Sequence, residues 1–138
     1  MTETLSEQAI TSLVNDAREA ARHAYAPFSG YPVGAAILTA NGRVFRGANV
    51  ENSSYPEGLC AERVAVVKAV SDGEREFIAI AVATPDLLVW PCGGCRQVLF
   101  EFSPGLLLIA AGADEVAVKN LAALLPEGFR LPRPSGLN

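Results

Sequence analysis

Apolar residues recur every three or four positions over residues 5–24, and this spacing predicts an amphipathic helix. Ser6 lies just before the first turn and is expected to cap it, while Pro27 follows beyond the end of the helix. The next segment, VGAAILTANGRVFRGANV, holds two apolar runs separated by Asn41-Gly42. Because Asn-Gly favours a tight two-residue turn, this segment predicts a hairpin of two antiparallel strands.

The rest of the chain alternates between helical patterns and short apolar runs. ENSSYPEG is rich in turn residues and predicts a loop, and the helical pattern from Cys60 to about Val70 closes at Asp72-Gly73. FIAIAVAT is continuously apolar, as is typical of a strand covered on both faces. WPCGGCRQVLFEF predicts a proline turn that leads into a helix. The last predictions are two strands, a short helix and an irregular tail from about residue 131, in the segments LLLIAA, EVAVKN, LAALLP and RLPRPSGLN.

The predicted order of elements is α-β-β-α-β-α-β-β-α, which is typical of a mixed sheet with helices packed on it. A chain of 138 residues is long enough for one core but short for two. We therefore expect a single α/β domain over residues 1–138, in three layers, with a mixed five-stranded sheet flanked by helices.

The composition narrows the range of partners. Half of the residues are apolar, 19% are charged and the mean hydropathy is +0.25, so we expect some apolar surface to be buried against other subunits. The net charge of −4 and the scattered basic residues argue against nucleic acid as a partner. The first ten residues lack the apolar core of a secretory signal, and no apolar run approaches the length of a membrane span. We expect no membrane partner.

The three cysteines each lie at the predicted start of a helix, Cys60 on one helix and Cys92 and Cys95 on the next. An odd number of cysteines does not make a disulfide framework, and this indicates a reducing cytoplasm. A helix N-terminus lowers the pKa of a thiol and favours the thiolate that a metal needs. Since the two helices flank one strand, a right-handed crossover brings both N-termini to the same end of the sheet. Three thiolates at one point predict a Zn²⁺ site.

A fourth protein ligand is not evident, because the sole histidine, His23, falls late in the first helix and is expected to be exposed. Three protein ligands leave a position for water, as in catalytic zinc sites. Glu62 follows Cys60 by two residues and is placed to move a proton of that water. Two other interpretations stay open at this point. Cys92 and Cys95 alone could form a redox pair, and Cys60 could be an ordinary core residue.

The segments CAE and PCGGCRQ, thirty-odd positions apart, match the zinc-dependent nucleoside deaminase pattern in its cysteine-for-histidine form. The longer stretch AYAPFSGYPVGAAILTANGRVFRGANVENSSYPEGLCAERVAVVKAV resembles the short-chain, homotetrameric cytidine deaminases almost throughout. AALLPEGF is similar to the closing segment of that family. The resemblance covers roughly residues 8–130.

This resemblance implies a role for each residue around the metal. One zinc ion per subunit would be held by Cys60, Cys92 and Cys95. Glu62 would take a proton from the attacking water and return it to the cytosine ring. The backbone at Ala61 would bind the carbonyl edge of the base. Arg63 would hydrogen-bond the thiolates and offset their excess negative charge.

The resemblance also implies how the nucleoside is bound. Asn49 and Glu51 match the pair that holds the ribose hydroxyls, and Tyr31 falls where the family has a phenylalanine that stacks on the base. Three further residues would contribute across a subunit interface in a shared active site, namely Ser53, Tyr55 and Phe129.

The function that the resemblance implies is deamination of cytidine and 2′-deoxycytidine in pyrimidine salvage, by a cytoplasmic homotetramer. Trp90 stands where the family commonly has a small residue, and with Tyr31 it departs from the usual pocket. A deaminase of a modified cytosine nucleoside such as blasticidin S is therefore the alternative. The net negative charge argues against a polynucleotide editor. The lack of an evident fourth protein ligand argues against a zinc-binding module without catalytic activity.

Overall fold

The computed structural model describes residues 5–134, which form four α-helices, five strands and a short 3₁₀ turn. In chain order the elements are α1 (Glu7–Ala21), β1 (Gly34–Thr39), β2 (Val44–Ala48), the 3₁₀ turn (Tyr55–Glu57), α2 (Ala61–Ser71), β3 (Phe77–Ala83), α3 (Gly93–Phe102), β4 (Leu107–Ala111), β5 (Val116–Asn120) and α4 (Leu121–Leu124). This order is the predicted one. The ends of the predicted domain, residues 1–4 and 135–138, lie outside the described residues, and residues 131–134 of the tail have no regular structure.

The helix α1 is shorter at its C-terminal end than the hydrophobic pattern predicts. Ser6 caps its start as expected, since the Ser6 hydroxyl accepts a hydrogen bond of 3.1 Å from the Ala9 amide. The helix stops at Ala21 because the chain then turns to pair with another segment, where the Tyr25 amide donates to the Asn49 carbonyl at 2.9 Å. Ala24 therefore continues the apolar spacing without belonging to the helix.

The sheet has the strand order β2-β1-β3-β4-β5. β1 runs antiparallel to β2 and β3, β3 and β4 are parallel, and β4 and β5 are antiparallel, so the sheet is mixed as predicted. The β1–β2 hairpin turns at Gly42, whose φ of 90° lies in the region that glycine adopts without strain. The parallel pair is connected through α3, as the crossover rule requires.

Helices cover both faces of the sheet, which gives the three predicted layers. On one face α1 packs its buried residues, such as Leu13 and Ala17, against small side chains of β1 and β3. On the other face α2, α3 and α4 form the larger cluster. Alternation along β1 separates the two cores, because Ile37 belongs to the larger cluster and Ala36 to the cluster under α1. None of the helices in residues 5–134 combines the length and hydrophobicity needed to cross a bilayer.

The start of α2 is held close to β2 at Gly47. A Cβ atom at Gly47 would overlap the Ala61 carbonyl oxygen and the Ala65 amide nitrogen, both of which belong to the backbone of α2. The absent side chain therefore allows the first turn of α2 to rest on the strand. Because Cys60 and Glu62 lie at this turn, the contact also sets the position of the candidate site.

Gly47→Ala should push α2 away from the sheet and lower the free energy of unfolding by about 1–3 kcal/mol, the usual cost of overpacking a tight contact. Urea denaturation measures this loss. Gly105→Ala is the matched control, because a Cβ there meets nothing within 4 Å, and it should change stability by less than about 0.5 kcal/mol. Equal effects of the two substitutions would contradict the close approach at Gly47.

Candidate active site

The N-termini of α2 and α3 meet at one end of the sheet and bring the three cysteines together. Cys60 is the N-cap residue of α2, Cys92 is the N-cap residue of α3, and Cys95 lies in the first turn of α3. Their Sγ atoms all lie within 4.8 Å of one another. Cys95 is fully buried, Cys60 is half-buried and Cys92 is exposed, so the cluster opens to one side only.

The cluster fits a zinc ion by both its distances and its chemistry. Sulfur atoms on a tetrahedral ion with Zn–S distances of about 2.3 Å are about 3.8 Å apart, so the observed spacing needs only a small contraction. Thiolates are soft anionic ligands, and they suit zinc better than magnesium or calcium, which bind oxygen ligands. His23, by contrast, is exposed in the turn that follows α1 and is not part of the cluster.

Hydrogen bonding and charge favour a thiolate at one cysteine of this cluster, Cys60. Hydrogen bonding with Cys95, helped by the charge of Arg63, lowers the pKa of the Cys60 thiol. The same shared hydrogen bond raises the pKa of Cys95, because that thiol holds the proton of the pair. Metal binding at this site should therefore displace the remaining protons and be favoured at higher pH.

Arg63 provides the positive charge beside these sulfur atoms. Hydrogen bonding to Cys95 raises the pKa of the Arg63 guanidinium, which stays charged. The guanidinium lies against Gly94, where a Cβ atom would collide with Nη2. Its buried Nε atom has no hydrogen-bond partner within residues 5–134. Arg63 thus lies beside the cysteines, and the charge-offsetting role expected of it stays a prediction.

Glu62 is the buried carboxyl of the site. Only 6% of its surface is exposed, and burial raises its pKa to about 7. The negative charge of Cys60 acts in the same direction. A carboxyl group with a pKa near neutrality can both accept and donate a proton under physiological conditions.

Glu62 and two of the three cysteines, Cys60 and Cys92, line a pocket of about 370 Å³. Of the residues that were predicted to contribute, the pocket is lined by Tyr31, Asn49, Glu51, Tyr55, Cys60, Ala61, Glu62 and Cys92. Ser53 and Phe129 do not line it, and both are exposed. Within one chain, therefore, most of the predicted site is assembled. Of the three residues expected across a subunit interface, Tyr55 lines the pocket of its own chain, whereas Ser53 and Phe129 do not.

The two predicted sugar-binding residues are held in place by the segment before β1. The Asn49 side chain accepts from the Val33 amide at 2.9 Å and donates to the Tyr31 carbonyl at 3.0 Å. The Glu51 carboxylate accepts from the Ser29 hydroxyl and from the amides of Ser29 and Phe28, and these bonds lower its pKa. Each side chain keeps unused hydrogen-bonding capacity that a ligand can take.

Sequence reasoning singled out Trp90 but missed the other residues of the pocket wall that runs from the end of β3 to α3. Val82, Thr84 and Val89 line the pocket together with Trp90. Asp86 in this segment accepts a hydrogen bond of 2.9 Å from the Tyr31 hydroxyl. Their position in the sequence could have identified them, because residues that follow the C-terminal end of a strand lie beside the N-terminus of the next helix.

The comparisons with known proteins agree with this geometry. Residues 7–111 match the family described as the cytidine and deoxycytidylate deaminase zinc-binding region. The chain belongs to this family. A cytidine deaminase of Sporosarcina psychrophila is 42% identical over 123 residues, which cover 87% of this chain and 90% of that protein. The predicted family resemblance is thus confirmed.

Solved structures of the same family share the fold. The structure of the cytidine deaminase from Burkholderia pseudomallei matches with a TM-score of 0.84 at 42% identity, over 91% of this chain and 100% of that one. The structure of the cytidine deaminase from Mycobacterium tuberculosis matches with a TM-score of 0.76 at 39% identity, over 88% and 97% of the two chains.

The buried carboxyl makes a prediction for the metal-free protein. The folded-state pKa of Glu62 is about 7 against an ordinary value of 4.5, so its stabilising protonation is complete below pH 4.5 and is lost as the pH rises through 7. Glutamine imitates the protonated form at every pH. Chelator-treated Glu62→Gln should therefore match the unsubstituted chain near pH 4.5 and exceed its stability above pH 8 by about 2–3 kcal/mol.

Urea denaturation at the two pH values measures the difference. Glu57→Gln, which changes an exposed carboxylate in the nearby 3₁₀ turn, is the control and should be neutral at both. A Glu62→Gln effect of the same size at both pH values would contradict the burial argument.

Proposed function

We propose that the protein catalyses the hydrolytic deamination of cytidine and 2′-deoxycytidine to uridine and 2′-deoxyuridine, with release of ammonia. The observation that carries this proposal is the buried Glu62 carboxyl beside three convergent thiols, in the wall of a pocket of nucleoside size. Family membership and the cytidine deaminases among its relatives support the same reaction. They favour it over deamination of a modified nucleoside such as blasticidin S.

Cys60, Cys92 and Cys95 would hold the zinc ion, whose chemistry when bound is to make a water molecule acidic enough to attack. Glu62 accepts a proton from the attacking water and donates it to N3 of the cytosine ring. The water oxygen bonds to C4 as a hydroxyl group. Glu62 then takes the remaining proton of this hydroxyl and passes it to the departing amine, so that the C4–N bond breaks and the C4 carbonyl forms. One water is consumed and one ammonia is released.

The other pocket residues position the nucleoside. The backbone of Ala61, in the first turn of α2, is available to the carbonyl edge of the base, where the positive end of the helix favours a partial negative charge. Tyr31 offers a ring for stacking. Asn49 and Glu51 would bind the sugar hydroxyls, which is effective because hydrogen bonds already fix both side chains before the substrate arrives.

The active form would be a homotetramer with shared active sites. Two aromatic side chains beside the pocket are exposed in the single chain: 78% of Tyr55, which lines the pocket, and 52% of Phe28, whose ring centroid lies 6.2 Å from that of Tyr55. A second copy of the chain would cover such a surface. The neighbouring subunit would then supply Phe129, which is 65% exposed and outside the pocket of its own chain.

The enzyme would act in pyrimidine salvage in the cytoplasm, where thiols stay reduced and available to zinc. The three cysteines are all free and close to one another, so an oxidising compartment would endanger the cluster.

Substituting the proton carrier tests the reaction. Glu62→Ala should keep one zinc per chain and lower kcat/KM for cytidine by about 10²- to 10⁴-fold, because proton transfer is lost while the ligands remain. The conversion of cytidine to uridine is followed by the loss of cytosine absorbance, and zinc is measured by elemental analysis. A variant that loses zinc is uninformative on this point, so Glu62→Gln, which preserves the size of the side chain, is assayed beside it. Full activity in either zinc-loaded variant would contradict the assigned role.

Mixing of subunits tests the shared site. Phe129→Ala and Glu62→Ala subunits should each have low activity alone. If they are unfolded together and refolded as a mixture, some sites combine an intact Glu62 with an intact Phe129 from a neighbour, and activity should return in part. Phe129→Ala mixed with itself is the control. Activity that stays at the sum of the separate variants, in tetramers that have exchanged subunits, would contradict a shared site.

A further inference from the structure

Trp90 is the largest side chain that lines the pocket. It lines the pocket and precedes Cys92 by two residues, so its Cα atom lies within about 7.6 Å of the Cα atom of Cys92. Cys60, Glu62 and Cys92 line the same pocket. Trp90 therefore lies in the wall that also holds Cys92.

The indole is held from outside the pocket. Lys119 of β5 places its Nζ atom 5.3 Å from the centroid of the Trp90 ring, within the range of a cation–π interaction. The ring also packs against the larger hydrophobic core cluster. These two contacts oppose movement of the indole away from the pocket.

The chain segment that carries Trp90 is fixed as well. The Thr84 hydroxyl donates to the Leu87 carbonyl at 2.6 Å, and the Tyr31 hydroxyl donates to Asp86 at 2.9 Å. The Ala113 amide donates to the Asp86 carbonyl at 2.8 Å. The wall is therefore tied to the segment before β1 and to the β4–β5 turn.

We propose that Trp90, supported by Lys119, is a specificity-determining residue that restricts the enzyme to cytosine nucleosides whose exocyclic amine carries no substituent. This inference rests on the proposed deaminase function and names the substrate class more narrowly. In the proposed reaction C4 must lie beside Glu62 and the cysteines, so the amine on C4 and anything attached to it approach the wall that carries Cys92 and the indole. An N4-alkyl group meets a bulky, packed side chain there.

The excluded reaction is chemically balanced and differs only in its leaving group. N4-Methylcytidine and water would give uridine and methylamine, with the same C4–O bond formed and the C4–N bond broken. No other reactant is needed. A lower kcat/KM for N4-methylcytidine than for cytidine therefore measures mainly how much space the wall leaves for the methyl group. One methyl group in a tight apolar pocket changes kcat/KM by about 10- to 200-fold.

The experiment compares kcat/KM for cytidine and N4-methylcytidine in four variants. Trp90→Leu and Trp90→Phe should raise the ratio of N4-methylcytidine to cytidine by about tenfold or more. Lys119→Met, which removes the cation without entering the pocket, should raise the ratio by a smaller factor. Leu87→Ala is the control, because Leu87 is 76% exposed in the same segment and does not line the pocket. An unchanged ratio in both Trp90 variants would overturn the proposal.

The fluorescence of the enzyme gives a readout that does not depend on turnover. Trp90 is the sole tryptophan of the sequence, so indole emission reports this wall directly. Saturation with uridine should change the emission of the zinc-loaded protein, and Lys119→Met should alter the emission of the free protein. Uridine that inhibits the enzyme without changing the emission would also overturn the assignment. If uridine changes the emission but cytidine is not deaminated, the proposed function fails while Trp90 remains at the ligand.

Discussion

The rest of the site depends on one constraint, that two helix N-termini meet at the same end of the sheet. α2 begins at Ala61 and α3 at Gly93, and each starts directly after a cysteine. The parallel pairing of β3 with β4 carries α3 across the same face that α2 covers. Three thiols and a buried carboxyl therefore converge without any long side chain or flexible loop. The close contact of α2 with Gly47 then fixes how far the N-terminus of this helix lies from β2.

Electrostatics makes this convergence useful. Burial removes the Glu62 carboxyl from water and raises its pKa to about 7. Repulsion from the negative charge of Cys60 acts in the same direction. Arg63 supplies the compensating charge beside Cys95. The site thus keeps a carboxyl that exchanges protons near neutral pH next to thiols that favour a metal. These two properties are what hydrolytic deamination requires of the protein.

Local patterns were sufficient to predict the elements, their order and the cysteine cluster. The Asn-Gly turn, the Ser6 cap and the cysteines at helix starts are all short-range signals, and each was found where it was expected. Contacts between distant segments were not predictable in this way. The end of α1 depends on the pairing of Tyr25 with Asn49, and the bond between Tyr31 and Asp86 joins positions 55 residues apart. The wall around Trp90 follows from such contacts, because only the fold brings Lys119 of the edge strand over the indole.

The central claim is that the three cysteines bind zinc and leave a position open for water. X-ray absorption at the zinc edge of the purified protein tests it most directly. The account predicts one zinc per chain with three sulfur neighbours at about 2.3 Å and one oxygen neighbour at about 2.0 Å. A protein without zinc, or a zinc ion with four protein ligands, would contradict the account.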